Sequence, residues 1–177
     1  TKPEKCTKQV TTVTQSGLDM ARRDSALIYT AAYARRFHLA IPAGDLDKSI
    51  EFYCNILGRT TGNSVEGFWC DIDFWGNELT LHATDPNIKE IGERHNVDME
   101  TVAVPHFGIH LPLEEFKELK DSLLSNGQVK IVDQPYVRFR GRDLEQETMF
   151  IEDPNGNVIE LKTMVNPDAL FHDDEEE

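Results

Sequence analysis

The chain has 177 residues, a formal net charge of −14 and 39% hydrophobic residues, which predicts one compact domain or two very small fused ones with an ordinary packed core. The acidic balance disfavours a nucleic acid or an anionic membrane as partner, since both attract basic surfaces. No apolar run approaches the roughly 18 residues that a membrane-spanning helix needs, so no membrane partner is expected.

Residues 1–35 form an N-terminal extension whose charged side chains are mostly basic. It lacks the apolar core of a secretory signal. The pattern is typical either of the remainder of an organelle-targeting segment or of a helical arm that packs on the body. The three cysteines are not closely spaced, which favours a reducing compartment over a disulfide framework. We therefore expect a cytoplasmic protein, or one of an organelle matrix if the extension is a targeting remnant.

A first module is predicted over residues 36–83. It begins with a strand pattern at 37–41 that contains His38, and continues with an amphipathic helix at 45–53 that ends near a glycine. Three strands follow, of which 59–64 has the weakest pattern, and a Gly76-Asn77 turn joins the last two at 71–75 and 78–82. The polar residues 84–101, with a short helical pattern at 88–94, are interpreted as a linker or a lid.

The same order of elements returns in a second module over residues 102–164. His106 lies in its first strand at 105–109, an amphipathic helix follows from 113, and a strand is predicted at 129–138. The Asp153-Pro154-Asn155-Gly156 turn joins the closing strands at 148–152 and 157–162. Residues 165–177 form an acidic tail. The predicted fold is α+β, with two tandem βαβββ modules.

The repeat places His38 and His106 in the same position of the two modules, and Glu160 faces inward on the closing strand of the second. Taken singly, each residue has an ordinary explanation as a hydrogen-bonded core histidine or a strand glutamate. Together they form a ligand set suited to Fe(II), Mn(II), Zn(II) or Ni(II) rather than Ca²⁺. A buried glutamate without a partner would also be costly. The sequence therefore predicts one divalent metal ion between the modules.

Other candidates for the site come from the same strands. The shared turn residues place Thr80 where the second module has Glu160. His82 follows on the same face, either as a fourth ligand or as a residue that contacts the ligands without binding the metal. Tyr136 is a candidate donor to a metal-bound substrate oxygen, and Arg138 a candidate partner for a substrate carboxylate or phenolate. The alternative for these two is a core aromatic and an exposed arginine.

The modules resemble those of the vicinal oxygen chelate superfamily, which includes glyoxalase I, extradiol dioxygenases and the bleomycin and fosfomycin resistance proteins. The resemblance is carried by residues 37–42, 45–49, 52–53, 57–58, 105–109 and 150–161, the last containing Asp153-Pro154-Asn155-Gly156-Asn157 and Glu160. It implies paired βαβββ units in a half-open barrel around a metal, often a homodimer, and a small-molecule substrate chelated through two adjacent oxygens. By this resemblance His38, His106 and Glu160 are the metal ligands.

Residues 135–141 and 145–150 resemble a branch of predicted extradiol-type dioxygenases. With Thr80 at the fourth corner, three ligands would leave positions open for substrate and O₂, so the expected activity is Fe(II)-dependent ring cleavage. Glyoxalase I enzymes instead place a fourth ligand in the strand equivalent to 78–82. A register shift of two residues would bring Glu78 or His82 to the metal and favour a Ni- or Zn-dependent lyase or isomerase. A third alternative is a binding protein of the resistance type without chemistry.

Overall fold

Two four-stranded sheets form the framework of the computed structural model, which describes residues 36–88, 93–97 and 100–171. The extension of residues 1–35 and the end of the acidic tail lie outside the described residues, so the two explanations of the extension stay open. Each sheet belongs to one module, which confirms the predicted α+β fold with two repeats.

The elements of the first module are β1 (His38–Gly44), α1 (Leu46–Glu51), β2 (Thr60–Val65), β3 (Trp69–Phe74) and β4 (Asn77–Ala83). Its sheet has the strand order β1-β4-β3-β2, in which β1 and β4 run parallel and the other neighbours antiparallel. The helix α1 begins after Asp45, whose side chain accepts a hydrogen bond from the Lys48 amide at 3.2 Å. A short π-helical stretch, Phe52–Ile56, continues that helix.

The elements of the second module are β7 (Phe107–His110), α2 (Leu113–Ser125), β8 (Lys130–Arg138), β9 (Gln146–Glu152), β10 (Val158–Met164) and a terminal 3₁₀ turn, Pro167–Phe171. Its sheet repeats the order of the first as β7-β10-β9-β8, again with one parallel pair, β7 and β10. Within the described residues no helix has the length and apolar character needed to cross a membrane.

The connection between the modules is a β-hairpin of β5 (Glu93–Val97) and β6 (Glu100–Val104). The helical pattern expected at 88–94 is wrong at Glu93 and Arg94, which belong to β5, while residues 89–92 lie outside the described part. Arg94 forms an ion pair with Asp133 on β8, with 2.6 Å between Nη2 and Oδ1. This long-range contact, which local propensity cannot report, ties the hairpin to the second sheet.

One hydrophobic core is shared by both modules. Along β4 and β10, core residues such as Leu79 and Ile159 alternate with polar ones. The modules are also joined by polar contacts: the Tyr53 hydroxyl donates to Asp153 Oδ2 at 3.1 Å, and the side chains of Asn155 and Asn157 donate to a carbonyl of β1 at 2.9 and 2.8 Å. We call the side of each sheet that is turned away from this core its site face.

Candidate metal centre

His106 and Glu160 meet on the site face of the second sheet. The distance between His106 Nε2 and Glu160 Oε2 is 3.6 Å. His106 Nδ1 lies 2.5 Å from the Ala103 carbonyl oxygen, which only accepts hydrogen bonds, so Nδ1 is the donor and Nε2 is the nitrogen directed at the carboxylate. Because usual metal–ligand distances are about 2.0–2.2 Å, a single divalent ion fits between the two atoms.

Glu160 is almost fully buried, and both of its oxygens are engaged. Oε1 accepts a hydrogen bond from the Thr148 hydroxyl at 2.8 Å, and Oε2 lies 2.8 Å from the ammonium nitrogen of Lys162. Burial by itself raises the pKa of Glu160, but the contacts with His106, Lys162 and Thr148 outweigh it and lower the pKa to about 2. The carboxylate is therefore held in its charged form, as a metal ligand must be.

The same contacts act on the neighbouring imidazoles. The Glu160 carboxylate raises the pKa of His106, against the opposing effect of burial. Burial, followed by the positive charge of Lys162, lowers the pKa of His110, which lies beside Lys162 in the parallel pairing of β7 and β10. The pKa of His106, which directly precedes β7, is thus raised, and the pKa of His110, the last residue of β7, is lowered.

Gly108 allows the close approach of β7 and β10 at this point. It is the pairing partner of Glu160, and a Cβ atom added to it would overlap the Glu160 carbonyl oxygen. Only glycine therefore fits there without a shift of one strand. The first module has Ala40 at the corresponding position, two residues after its own histidine.

A second His–Glu contact lies on the site face of the first sheet. His38 and Glu78 are pairing partners in the parallel β1–β4 pair, with 3.5 Å between Nδ1 and Oε1. Their side chains are 57% and 52% exposed, against 26% and 5% for His106 and Glu160. His38 thus contacts Glu78, its pairing partner. Thr80, which the sequence placed at this corner, donates its hydroxyl hydrogen to Asp71 at 2.7 Å.

The described part of the chain does not gather the three predicted ligands at one point. Within it, no three His, Cys, Asp or Glu side chains converge closely enough to hold a metal ion. The structure brings His106 and Glu160 together and leaves His38 with Glu78. The ligand set His38, His106 and Glu160 stays a prediction.

The remaining candidates lie on the site faces of the two sheets. His82 is exposed near the end of β4. Tyr136 is half-buried on β8 as the pairing partner of Thr148, and Arg138 pairs with Gln146 two residues further on. The Arg138 guanidinium carbon lies 4.9 Å from the centre of the Phe139 ring. Their catalytic roles stay predictions.

Sequence reasoning missed Lys162 and Thr148 as neighbours of Glu160. The sequence could have predicted Lys162, because it lies two residues beyond Glu160 on the same face of one strand. Thr148 is the antiparallel partner of Lys162, so the register of the Asp153–Asn157 turn would also have placed it here. The sequence brings Glu78 to the metal only through a register shift, whereas in the structure Glu78 is the direct pairing partner of His38.

Comparison with known proteins agrees with this architecture. Residues 35–161 match the family model of the glyoxalase/bleomycin resistance protein/dioxygenase superfamily. The chain is 28% identical over 130 residues to a protein of Synechocystis named probable lactoylglutathione lyase, covering 70% of this chain and 91% of that protein.

Solved structures show the same fold. A glyoxalase/bleomycin resistance protein/dioxygenase from Alicyclobacillus acidocaldarius is 29% identical with a TM-score of 0.63, over 78% of this chain and 97% of that one. A lactoylglutathione lyase from Agrobacterium tumefaciens is 20% identical with a TM-score of 0.51, over 73% of this chain and 93% of that one, which speaks for the fold alone. The family match and the two repeated modules lead to one conclusion: the chain belongs to the glyoxalase/bleomycin resistance protein/dioxygenase superfamily.

Proposed function

We propose that this chain is a metal-dependent lyase or isomerase of the glyoxalase type whose metal centre forms between two copies of the chain. The observation that carries the proposal is the pair of His–Glu contacts, 3.6 Å for His106–Glu160 and 3.5 Å for His38–Glu78. Each pair supplies two ligands, whereas a protein metal site uses three or four. Since the described chain does not bring the pairs together, a homodimer that sets the first module of one copy against the second module of the other completes the set.

The ligand count favours this activity over the dioxygenase expected from the branch resemblance. With Glu78 included, the set has two imidazoles and two carboxylates, which is the four-ligand pattern that the family resemblance associates with glyoxalase I. Zinc and nickel suit such a set. The Synechocystis relative, named a probable lactoylglutathione lyase, supports the same class, and its name points to a glutathione hemithioacetal as the first substrate to test.

The two carboxylates are suited to different tasks. When bound, a divalent ion stabilises negative charge on adjacent substrate oxygens. Glu160, with a pKa near 2 and both oxygens engaged, is suited to holding that ion. Glu78 contacts His38 through Oε1 and is half exposed, so its carboxylate has the freedom to take a proton from one substrate carbon and return it to the next. This transfer shifts a hydrogen within the substrate and needs no oxidant.

A complementation experiment tests the shared centre. One variant loses the first pair (His38→Ala with Glu78→Gln), and the other loses the second pair (His106→Ala with Glu160→Gln). Neither homodimer should bind zinc tightly, while an equal mixture, unfolded and refolded together, should recover roughly a quarter of the wild-type sites, since half of the dimers are mixed and each has one intact site. A mixture that recovers no zinc would refute the shared centre.

The activity is tested with apo-protein reloaded separately with zinc, nickel or, without oxygen, Fe(II). We expect the zinc or nickel form to convert the hemithioacetal of glutathione and methylglyoxal, and the Glu78→Gln variant to lose this activity while retaining most of its metal. Oxygen consumption by the iron form with a catechol would instead support the extradiol dioxygenase. A chelator-treated protein that binds small molecules as well as the untreated one would support the binding-protein alternative.

A further inference from the structure

A row of hydrogen-bonding side chains crosses the second sheet at the level of Lys162, which lies two residues beyond Glu160 on β10. Strand pairing places His110 on β7 beside Lys162 on β10, Lys162 opposite Thr148 on β9, and Thr148 opposite Tyr136 on β8. Because these four residues are pairing partners across four strands, their side chains share the site face. The row contains one fixed positive charge, that of Lys162.

Lys162 is placed unusually for a lysine of this acidic chain. Its side chain is only 21% exposed, and its ammonium lies 2.8 Å from Glu160 Oε2, the oxygen that also faces His106. The ammonium therefore lies against the carboxylate that a metal would use. A divalent ion at Glu160 would put two cations on one oxygen, and the flexible four-carbon stem of lysine lets the ammonium move away from the ion.

The side chains next to Lys162 indicate which group the displaced ammonium would bind. Thr148 is committed to Glu160 Oε1, so it positions the carboxylate and leaves His110 and Lys162 as the groups facing the next part of a substrate. The Cα atoms of Glu160 and Lys162 are separated by two strand positions, about 6.6 Å. A substrate that carries a negative group at about that distance from its two chelating oxygens would bring that group to the Lys162 ammonium.

We propose that Lys162 binds an anionic group of the substrate, so that the site selects molecules with a carboxylate or similar anion beyond their two chelating oxygens. This inference rests on the proposed metal centre and adds to it the chemical class of the substrate. Lys162 is a specificity-determining residue here, and the metal ligands do the chelation.

The test uses zinc-loaded protein, because zinc does not oxidise the catechol probes. The two probes, catechol and 3,4-dihydroxybenzoate, differ by one carboxylate distant from the chelating oxygens. Calorimetry gives their affinities for the wild type, for Lys162→Met and Lys162→Arg, and for Lys117→Met as an exposed control on α2. Elemental analysis verifies that zinc is retained. We expect the wild type to prefer dihydroxybenzoate by roughly tenfold or more, Lys162→Met to lose that preference, and both Lys162→Arg and Lys117→Met to keep it.

Zinc affinity supplies a second readout that a merely structural role would not give. Removing the competing ammonium should let Lys162→Met bind zinc more tightly than the wild type while it binds the anionic probe less tightly. An unchanged preference in Lys162→Met, or a loss of zinc affinity together with a loss of catechol affinity, would overturn the inference. A wild-type protein that binds no zinc would overturn both proposals, whereas zinc-loaded protein that shows the anion preference but no lyase activity would overturn only the proposed activity.

Discussion

The two His–Glu pairs have the same composition but different surroundings. His106 and Glu160 lie mostly buried beneath a hydroxyl donor and an ammonium, whereas His38 and Glu78 are each more than half exposed. The second module thus fixes its pair through contacts within its own sheet, and the first module presents its pair to whatever packs on that face. The comparison teaches that a duplicated module can keep a His–Glu pair while only one copy keeps the surrounding support.

The largest expected effect comes from removing the charge of each glutamate in turn. Glu160→Gln should weaken zinc binding at least about 100-fold, because a preorganised buried carboxylate is lost together with its contacts to His106 and Lys162. Glu78→Gln, on the exposed pair, should weaken it only about tenfold. Competition with a chromophoric chelator measures both. Equal losses would mean that the difference in burial has no bearing on affinity.

The next effect concerns the strand contact under the second pair. Gly108→Ala should destabilise the protein by about 2 kcal/mol or more, because the new methyl group overlaps the Glu160 carbonyl and pushes β7 from β10. Ala40→Gly, the reciprocal change in the first module, should cost only about 0.5–1 kcal/mol of backbone entropy. Urea unfolding provides the values, with Gly127→Ala as a control at a site with open space. A harmless Gly108→Ala would show that the close approach is not required.

A smaller effect is expected from the hydroxyl groups of the two closing hairpins. Thr148→Val removes the donor to Glu160 Oε1 and should lower zinc affinity about tenfold. Thr80→Val removes a comparable hydrogen bond and should leave zinc affinity unchanged, since the Thr80 hydroxyl donates its hydrogen bond to Asp71. Isothermal titration of both variants checks the contrast. A loss in Thr80→Val as large as that in Thr148→Val would return Thr80 to the metal site.

The smallest expected effect is a pH dependence at the joint between the modules. Burial raises the pKa of Asp153, against the hydrogen bonds from Asn157, Tyr53 and Asn155. A folded pKa above the unfolded value of 3.8 means that stability is greatest at low pH and is lost as the pH rises through the folded value. Relative to Asp153→Asn, the wild type should therefore gain unfolding free energy as the pH falls from neutral toward 3.8. Urea titrations at several pH values measure it, and an opposite slope would mean that the hydrogen bonds prevail over burial.

The elements and their order were predictable because each has a local cause. Alternating polarity marked β3 and β10, and the Gly76-Asn77 and Asp153–Gly156 turns fixed both hairpins. The hairpin of β5 and β6 was not predicted, since its identifying contact, between Arg94 and Asp133, joins residues 39 positions apart. Local periodicity carries no information about such a partner.

The site was predictable only in part. The repeat singled out His106 and Glu160, which the structure brings together, and His38, which it leaves with Glu78. Counting from the two turn glycines aligned Thr80 with Glu160, but the pairing of β1 with β4 decides which residue His38 meets, and that register is set by packing across the sheet. Lys162 was missed because a lysine is not a metal ligand, so a search for ligands passes over a lysine two residues from the predicted ligand Glu160.

The two asparagine side chains that donate to one carbonyl of Pro42 give the closing turn a second duty. A turn needs only suitable backbone angles, which many sequences supply. Here the asparagine side chains of the turn also attach it to a strand more than a hundred residues earlier. Loop insertions and deletions at residues 153–157 should therefore be far less tolerated than at the Gly76-Asn77 turn. Relatives with a changed turn length are the ones to inspect for a different arrangement of their halves.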